Sequence, residues 1–580
     1  MTLRVQHRGL RVLAVVACAC LALLLGTYLA GYVALELLGL RGARVSLRTY
    51  WILSQSLTGL PELAARAGTV RAAGVLGYGV PVASAVLLAY LALRQRDPAV
   101  HGDARFASRA DLRRSGLLND APNGIVLGRQ GDQLLKLGGQ QFVILAAPTR
   151  SGKGVGVVIP NLLEYADSMV VLDIKQENYN LTSGWRKAQG QEVFLFNPMA
   201  EDGRTHRWNP LRYISDNPMQ RPADLFAVAA MLYPDKTGGE GDSQFWVAQA
   251  RNAFLALTLY MFEYRDDATR YGHSLPVPSL GDLLRLATGT GDSLLGTMKD
   301  LASRPFLGST ARMAFGGLTS HTEKTFASVM SSLREPLNPW LNPVTCAATD
   351  DDDFLLTDLR KRRITIYIGI TPNKLAECAG IINLFFSQVI NQNTRTLPQD
   401  DDSLKHQCLL LMDEFTAIGK VDIIAKAVSY MAGYNLRLLP IIQSMAQLEA
   451  TYGPQVSRTL VTNHAVQIIY APREQKDAQD YSELLGYRTQ RRWNLSRAQQ
   501  ASSSEALERR ALMLPQEVKA LGPARALLLY EGAPGPIRCE KIMYYKEKRF
   551  TRRLLPAVEV PALDLGAYTE AMATGAPSSS

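Results

Sequence analysis

The chain has 580 residues, of which 47% are hydrophobic and 20% are charged. That length exceeds what one hydrophobic core holds, so roughly three or four domains are expected, and the composition is ordinary for a globular protein with a membrane segment. The net charge of +10 favours anionic partners such as nucleic acid or a membrane surface, although a basic anchor and a mildly basic surface explain much of it. The six cysteines lack the paired spacing of a zinc module, which argues against a zinc-binding protein and favours reduced thiols.

Two long apolar runs near the N-terminus predict a membrane anchor over residues 1–96. The first, Val12–Leu40, contains Glu36 as its only charged residue, and the second covers Ala72–Leu93. About 20 apolar residues span a bilayer, so each run is long enough to cross it. A signal peptide would have a shorter apolar core and no second span, and two buried core helices would each show a polar face. We therefore predict two transmembrane helices, 12–40 and 72–93, joined by a short loop.

After residue 97 short apolar runs alternate with helical segments, which predicts an α/β fold with a mostly parallel sheet. Strand signals stop between residues 211 and 342, where helical periodicity dominates, for example in Ser243–Tyr264 and Thr325–Leu333. We therefore predict a sheet domain of residues 97–210 and 343–561, interrupted by an all-α domain at 211–342, and a disordered, small and polar tail at 562–580. The predicted strands, several of them unbroken apolar runs typical of strands covered on both faces, are Phe142–Ala147, Ser168–Asp173, Gln191–Phe196, Ile364–Ile370, Gln407–Met412, Leu436–Ile441 and Ala465–Tyr470.

The sequence APTRSGKG, from Ala147 to Gly154, lies between a predicted strand and a helical run, which is the context of a P-loop. In such a loop the backbone N–H groups wrap the phosphates, the helix N-terminus favours their charge, and here Lys153 would reach the β and γ phosphates. Two positions depart from G-x-x-x-x-G-K-[ST], because Ala147 replaces the first glycine and Gly154 replaces the hydroxyl residue that normally coordinates Mg²⁺. For this motif alone, a chance loop remains the alternative. The predicted nucleotide-binding residues are Thr149, Arg150, Ser151, Gly152, Lys153, Gly154 and Val155.

The apolar run Gln407–Met412 leads into two adjacent carboxylates, Asp413 and Glu414. A pair of this kind at the end of a strand is typical of a Walker B motif, in which Asp413 would hold Mg²⁺ and Glu414 would polarise the attacking water. A strand that ends in an acidic turn is the ordinary alternative. Its occurrence together with a P-loop in one α/β domain favours a nucleoside triphosphate site.

Three further features each allow two interpretations. Asp173 ends a predicted strand and is either a second carboxylate near the site or a strand terminator. Gln443 follows another strand and is predicted to sense the γ-phosphate, the alternative being that Gln443 and Ser444 cap the next helix. The acidic runs Asp350–Asp353 and Asp400–Asp402 are predicted to be solvated loops rather than metal sites.

Seven motifs, together with the two N-terminal spans, carry a specific resemblance over nearly the whole chain. They are HGDARFA (His101–Ala107), APTRSGKGVGVVIPNLL (Ala147–Leu163), VVLDIKQENYNLTSGWR (Val170–Arg186), QFWVAQARNAFLAL (Gln244–Leu257), LLLMDEFTAIGK (Leu409–Lys420), MAGYNLRLLPIIQS (Met431–Ser444) and YSELLGYRT (Tyr481–Thr489). In these motifs the chain resembles the TraG-type coupling proteins of bacterial type IV secretion and conjugation systems.

The resemblance implies a RecA-like P-loop ATPase domain with an inserted all-α domain and an N-terminal two-helix transmembrane anchor, assembled as a homo-hexamer. It implies ATP and Mg²⁺ as cofactors, with Lys153, Glu414 and Gln443 as catalytic residues and Asp413 as the Mg²⁺ ligand. The implied partners are single-stranded DNA with a relaxase or other relaxosome proteins, protein effectors and type IV secretion channel proteins. The family tolerates glycine after the P-loop lysine, so Ser151 or a water molecule would complete the Mg²⁺ coordination.

Orientation in the membrane is argued from the nucleotide site, because arginines on both sides of the first span leave the positive-inside rule undecided. Two spans put both chain ends on one side, and the site needs cytosolic ATP. We therefore predict a multi-pass protein of the bacterial inner membrane with a short periplasmic loop and a large cytoplasmic domain.

An arginine finger is the one family feature that the sequence does not assign. Some members supply it from the helix after the acidic pair, but that segment here, about Val421–Gly433, contains Lys426 and no arginine. Arg437 and Arg473 are possible substitutes, each with an ordinary structural role as the alternative.

Two rival functions are also considered. A septal-type pump for double-stranded DNA is disfavoured by the two-span anchor, whereas a nucleotide-gated docking receptor with little hydrolysis stays open.

Overall fold

The structure is a computed structural model, and it describes residues 2–40, 42–57, 59, 65–93, 100–235, 241–289, 293–496 and 502–566. The chain divides into two compact units. One comprises Met1–Val100 with Arg491–Glu508, and the other comprises His101–Gln490 with Arg509–Ser580.

The described residues of the N-terminal unit form the helices α1 (Thr2–Leu37), α2 (Thr49–Ser56) and α3 (Ala67–Leu93). Among the described residues, two stretches are long and apolar enough to cross a membrane, Val15–Leu37 and Ala67–Tyr90, so the predicted pair of apolar helices is confirmed. The first run was predicted to extend to residue 40, but α1 ends three residues earlier and is followed by a glycine at residue 39 with φ of 75°. The second helix begins five residues before its predicted start, and α2 was not predicted.

Small residues let α1 and α3 approach each other closely. Ala30, Ala34 and Ala73 are fully buried, and a Cβ atom placed on Gly77 would lie 2.3 Å from the backbone nitrogen of Ala30. A side chain larger than hydrogen at residue 77 would therefore force the two helices apart.

An eleven-stranded sheet forms the centre of the large unit, in the order β2-β1-β13-β12-β9-β3-β8-β7-β4-β6-β5. All seven predicted strands are present, and each end lies within one residue of its prediction. Strands β10 and β11 form a separate two-stranded sheet. The strands are β1 (Ile125–Gln130), β2 (Gln133–Leu137), β3 (Val143–Ala146), β4 (Ser168–Asp173), β5 (Glu192–Phe196), β6 (Ile364–Gly369), β7 (Cys408–Met412), β8 (Leu436–Ile442), β9 (Val466–Ile469), β10 (Tyr487–Ser496), β11 (Ser502–Ala511), β12 (Arg525–Tyr530) and β13 (Ile537–Glu540).

The seven predicted strands are the parallel part of the sheet. Every neighbouring pair from β9 to β5 is parallel. Four strands that were not predicted, β12, β13, β1 and β2, extend the sheet beyond β9 by antiparallel pairing. Side chains of the central strands alternate between two apolar clusters, so that Val170 and Leu172 of β4 face one cluster while Met169 and Val171 face the other. Coverage of both faces is the reason these strands are unbroken apolar runs.

The remaining helices cover the two faces of the sheet and form the helical region between β5 and β6. They are α4 (Arg109–Arg114), α5 (Ile159–Glu164), α6 (Glu177–Ala188), α7 (Arg221–Leu232), α8 (Gly241–Arg270), α9 (Leu280–Thr288), α10 (Leu294–Ala302), α11 (Ser309–Thr319), α12 (Glu323–Arg334), α13 (Pro343–Ala348), α14 (Leu375–Asn393), α15 (Asp422–Ala427), α16 (Met445–Tyr452), α17 (Pro454–Thr462), α18 (Gln475–Leu484), α19 (Pro515–Lys519) and α20 (Lys548–Thr551).

The helical region α7–α12 contains no described strand, in agreement with the all-α character predicted for it. The segment predicted as helical from residue 243 lies within α8, and the one from residue 325 lies within α12. One apolar cluster runs continuously from this region to the sheet, since it includes Phe254 of α8, Trp340 and Phe385 of α14. The helical region is therefore packed on one face of the sheet.

The acidic run Asp350–Asp353 was predicted to be a solvated loop, and this is wrong. Asp353 lies 3.0 Å from the guanidinium of Arg207, and Asp352 accepts a 2.9 Å hydrogen bond from the backbone N–H of Asn209. Burial raises the pKa of Asp350 to about 7 and that of Asp352 to about 6. The run is thus a partly buried connection beside the helical region.

The prediction of disorder from residue 562 onward is wrong for the first residues of that segment. Ala562 forms an antiparallel bridge with Arg204, and the backbone N–H of Leu563 donates to the carbonyl of Gly203 at 2.9 Å. These two residues are ordered because their backbone groups are paired with the sheet domain. Residues 567–580 lie outside the described residues.

Candidate nucleotide site

The sequence-predicted site residues meet at the carboxyl edge of three adjacent parallel strands. The P-loop follows β3, Gln443 follows β8, and Asp413 with Glu414 follows β7. These strands are neighbours in the order β3-β8-β7, so the segments that leave their carboxyl ends converge. This edge of an open α/β sheet is where ligands commonly bind.

The P-loop has a backbone that turns twice through the left-handed region, with φ of 60° at Arg150 and 86° at Gly152. The N–H of Ser151 donates to the carbonyl of Pro148 at 3.1 Å, which closes the loop. Thr149 and Arg150 are exposed, whereas Ser151, Gly152, Lys153, Gly154 and Val155 are partly exposed. The loop then enters a π-helical turn, Gly154–Val158, that continues into α5, so a helix N-terminus begins at the predicted position.

Lys153 is held by both carboxylates of the acidic pair. Its Nζ lies 3.0 Å from Asp413 Oδ1 and also forms an ion pair with Glu414 Oε1. Gln443 Nε2 donates to Glu414 Oε2 at 2.7 Å, and Thr149 Oγ1 donates to Gln443 Oε1 at 3.3 Å. The structure thus brings Thr149, Lys153, Asp413, Glu414 and Gln443 into one connected cluster.

The two carboxylates of the pair have different electrostatic environments. Burial raises the pKa of Asp413, against the opposing effect of the Lys153 ammonium. Burial acts in the same direction on Glu414, but hydrogen bonds from Lys153 and Gln443 outweigh it and lower its pKa below the usual value. Glu414 also adopts φ of 59°, a left-handed conformation that is uncommon for a residue with a side chain and occurs often at functional sites.

Asp173 lies in the same group of carboxylates. The register of β4 and β7 pairs Leu172 with Met412, so Asp173 and Asp413 end neighbouring strands side by side. Burial raises the pKa of Asp173 to about 7, and its Oδ2 accepts a 2.8 Å hydrogen bond from the N–H of Tyr179. Asp173 therefore both caps α6 and contributes charge next to Asp413.

The chemistry of these residues fits a Mg²⁺–nucleotide. Mg²⁺ is usually held by one or two carboxylates together with phosphate oxygens and water, and Asp413 offers such a carboxylate beside the P-loop. No group of three or more His, Cys, Asp or Glu side chains among the described residues forms a separate metal site. Gly154 leaves room in place of the usual hydroxyl, because a Cβ atom added there would meet no atom within 4 Å outside its own turn.

The structure separates the two interpretations of the Gln443–Ser444 pair. The Ser444 hydroxyl accepts from the N–H of Gln447 and is the N-cap of α16, as in the capping interpretation. Gln443 instead turns to Glu414 and Thr149. Of these two residues, Gln443 contacts the P-loop and the acidic pair, and Ser444 caps the helix.

The arginine finger candidates also differ in position. Arg437 is fully buried and donates to the carbonyls of Asn123, Leu137 and Gln141 at 2.8–3.1 Å, so its role is structural. Arg473 is exposed, and its Nη2 donates to the carbonyl of Thr149 at 2.9 Å, within the P-loop of its own chain. Neither contact was predicted.

Lys541 is a further residue at the site that the sequence did not indicate. It follows β13 and donates from Nζ to the carbonyl of Ser151 at 3.2 Å. No motif surrounds it, and 390 residues separate it from the loop that it contacts.

A parallel sheet in which a P-loop follows one strand and an acidic pair follows the next strand but one, with a single strand between them, defines a RecA-like nucleotide-binding fold. The chain belongs to the type IV secretory system conjugative DNA transfer family, whose model matches residues 103–563. It is thus a coupling protein of the TraG/VirD4 type, and the resemblance seen in the motifs is confirmed.

Relatives and solved structures agree with this assignment. The VirD4 protein of Rhizobium radiobacter is 31% identical over 494 residues, which are 82% of this chain and 69% of the relative. A conjugal transfer protein TraG of Escherichia coli is 28% identical over 429 residues, which are 67% of this chain and 65% of that protein. The fold is similar to that of the bacterial conjugative coupling protein TrwBdeltaN70, with a TM-score of 0.55 and 19% identity over 81% of this chain and 98% of that one.

Proposed function

We propose that this coupling protein hydrolyses ATP with Mg²⁺ and uses the energy to deliver relaxase–DNA complexes or protein effectors to a type IV secretion channel. The observation that carries the proposal is the cluster in which Lys153 joins Asp413 and Glu414 while Gln443 holds Glu414. TrwB, a relative in fold, has been solved in complex with the ATP analogue ADPNP and with ADP and Mg²⁺, which supports the same ligands here.

Each residue of the cluster takes one part of the reaction. The loop from Thr149 to Val155 and Lys153 would bind the phosphates, and Asp413 would hold Mg²⁺, which would supply positive charge against the phosphoryl oxygens. Glu414 orients the attacking water, for which its lowered pKa keeps it ionised. Gln443 links Glu414 to Thr149 and so places an amide where the γ-phosphate would be sensed.

The two apolar helices and the family support a membrane location and a ring assembly as parts of this proposal. We place α1 and α3 across the bacterial inner membrane, with the large unit in the cytoplasm where ATP is available. In a homo-hexamer, basic residues around a central channel would contact the backbone of single-stranded DNA without reading its bases. The basic net charge of +10 is consistent with such contacts and with the relaxosome and channel proteins as partners.

The test is ATP turnover by the detergent-solubilised full-length protein, with and without single-stranded DNA, for the wild type and the Glu414→Gln variant. Glu483→Gln, an exposed carboxylate on α18, is the matched control. We expect the wild type to show turnover that is stimulated by DNA. In Glu414→Gln the turnover should fall by roughly 100-fold or more, since a positioned general base contributes about 10²–10⁴-fold. The control should keep the wild-type turnover.

A second candidate, a nucleotide-gated docking receptor, is favoured by Gly154, which provides no hydroxyl for Mg²⁺. Nucleotide binding without turnover under any of these conditions would favour this receptor and refute the motor.

A further inference from the structure

Lys541 is a buried lysine in the large unit whose ammonium lies against the P-loop. The residue is 6% exposed, and its Nζ donates to the carbonyl of Ser151 at 3.2 Å. The same Nζ lies 3.5 Å from the ring centre of Tyr470, a fully buried residue that follows β9. A lysine normally buries its aliphatic stem and leaves its ammonium in water, so burial of the charged end requires an explanation.

No carboxylate in the described part of the chain forms an ion pair with this charge. Among the described residues no carboxylate oxygen lies within 4.0 Å of Lys541 Nζ, and the partners that the structure gives it are a carbonyl and an aromatic ring. Burial lowers the pKa of Lys541 to about 8, which leaves most of the population protonated at pH 7. A buried cation without a counter-ion is costly, and an anion bound nearby would offset that cost.

The contact with the Ser151 carbonyl matters for the orientation of the loop. A P-loop binds phosphate through backbone N–H groups that point inwards, and its carbonyl groups must point away and find donors elsewhere. Lys541 supplies such a donor to the carbonyl of Ser151.

Tyr470 holds the ammonium in that position. Its ring carries the Lys541 cation on one face, and its hydroxyl fills the space over Gly156, where an added Cβ atom would lie 2.5 Å from the oxygen. The arrangement therefore connects the π-helical turn after the P-loop, β9 and the end of β13.

We propose that Lys541 is a second cation of the nucleotide site, a positioning residue that turns the Ser151 carbonyl away from the phosphates and places positive charge behind the loop. Its ligand is the polyphosphate of a nucleotide, so this inference rests on the proposed function. Lys541 and Lys153 then act from opposite sides of the loop, Lys153 in contact with the acidic pair and Lys541 through the backbone.

The experiment compares Lys541→Met, which removes the charge, Lys541→Gln, which keeps a hydrogen-bond donor, and Lys541→Arg, which keeps the charge. Lys546→Met is the matched control, because Lys546 also lies over a tyrosine, Tyr545 at 5.8 Å, but is exposed. Each full-length variant in detergent is assayed for the dissociation constant of ADPNP with Mg²⁺, for KM and kcat of ATP turnover, and for the midpoint of thermal unfolding.

We expect the dissociation constant of ADPNP and the KM for ATP to rise roughly tenfold in Lys541→Met and Lys541→Gln, as for the loss of one charged hydrogen bond. The change in kcat should be smaller. Lys541→Arg should recover most of the affinity, and Lys546→Met should bind as the wild type does. A purely structural lysine would instead lower the unfolding midpoint and leave the affinity of the folded fraction unchanged. If Lys541→Met does not fold, Lys541→Gln decides.

Two further outcomes distinguish this inference from the proposed function. A folded Met or Gln variant that binds ADPNP within about twofold of the wild type overturns the role of Lys541 alone, since wild-type binding would still stand. Failure of the wild type to bind any nucleotide overturns both.

Discussion

Two glycines in the turn after Lys153 give opposite predictions, although they are only two residues apart. At Gly154 an added Cβ atom meets nothing within 4 Å outside its own turn, and φ is negative. At Gly156 the added Cβ atom would lie 2.5 Å from the Tyr470 hydroxyl oxygen, a separation that cannot be kept without a shift. Space therefore permits a side chain at residue 154 and excludes one at residue 156.

We predict that Gly154→Ser folds at least as well as the wild type and that Gly156→Ala is destabilised. Serine in place of glycine in a helical turn lowers the free energy of folding by about 0.5 kcal/mol. Overpacking against the buried Tyr470 ring, which carries Lys541 on its face, costs about 1–3 kcal/mol. Gly154→Ser also restores the hydroxyl that the P-loop lacks, so we expect half-maximal ADPNP binding at a lower Mg²⁺ concentration than for the wild type.

The assay is thermal unfolding of the full-length protein in detergent, followed by Mg²⁺ titration of ADPNP binding for each variant that folds. Gly156→Ala serves as the comparison for Gly154→Ser, because both add a small side chain to the same turn. A Gly154→Ser protein that unfolds at a lower temperature than Gly156→Ala would refute the packing argument. An unchanged Mg²⁺ requirement would show that residue 154 does not face the metal.

Two further predictions concern buried charge. Burial lowers the pKa of His464 from 6.5 to about 4, so between these values the unfolded chain binds a proton that the folded chain does not. The stability present above pH 6.5 is therefore lost as the pH falls towards 4. The unfolding temperature between pH 7 and 4.5 should depend less on pH in His464→Phe than in the wild type, and parallel profiles would contradict this. Arg437→Met leaves three carbonyl acceptors without their donor and should destabilise the fold, by about 1–3 kcal/mol for each acceptor left buried and unsatisfied. The exposed Arg473→Met should unfold as the wild type does, and equal effects of the two variants on the unfolding midpoint would contradict the assignment.

The sequence was informative where a local pattern determines the outcome. Strands such as Ser168–Asp173 are covered on both faces of the sheet, so they appear in the sequence as continuous apolar runs. Polar residues directly after such runs, such as Asp413 and Gln443, fall at one edge of the sheet. The antiparallel strands were not predicted because their patterns are mixed. In Ile537–Glu540, buried and exposed residues alternate over only four positions.

Roles that depend on distant contacts could not be predicted. Arg437 appears in the sequence as a single charge in an apolar run, and its burial depends on carbonyl groups about 300 residues earlier in the chain. Lys541 contacts a loop 390 residues away, and nothing in its neighbourhood distinguishes it from Lys546. The different roles of Gln443 and Ser444 likewise depend on the position of Glu414, which follows a different strand.

The charges at the site explain why a second lysine is useful. The carboxylates Asp413 and Glu414 share the single ammonium of Lys153, so this part of the site has an excess of negative charge whenever both carboxylates are ionised. Asp173, with a pKa of about 7, adds to that excess near neutral pH. A nucleotide polyphosphate is also an anion, so Lys153 cannot by itself both balance the carboxylates and attract the phosphates. The additional positive potential would come from the loop amides, from Mg²⁺ on Asp413 and from Lys541, whose ammonium contacts the Ser151 carbonyl of the loop.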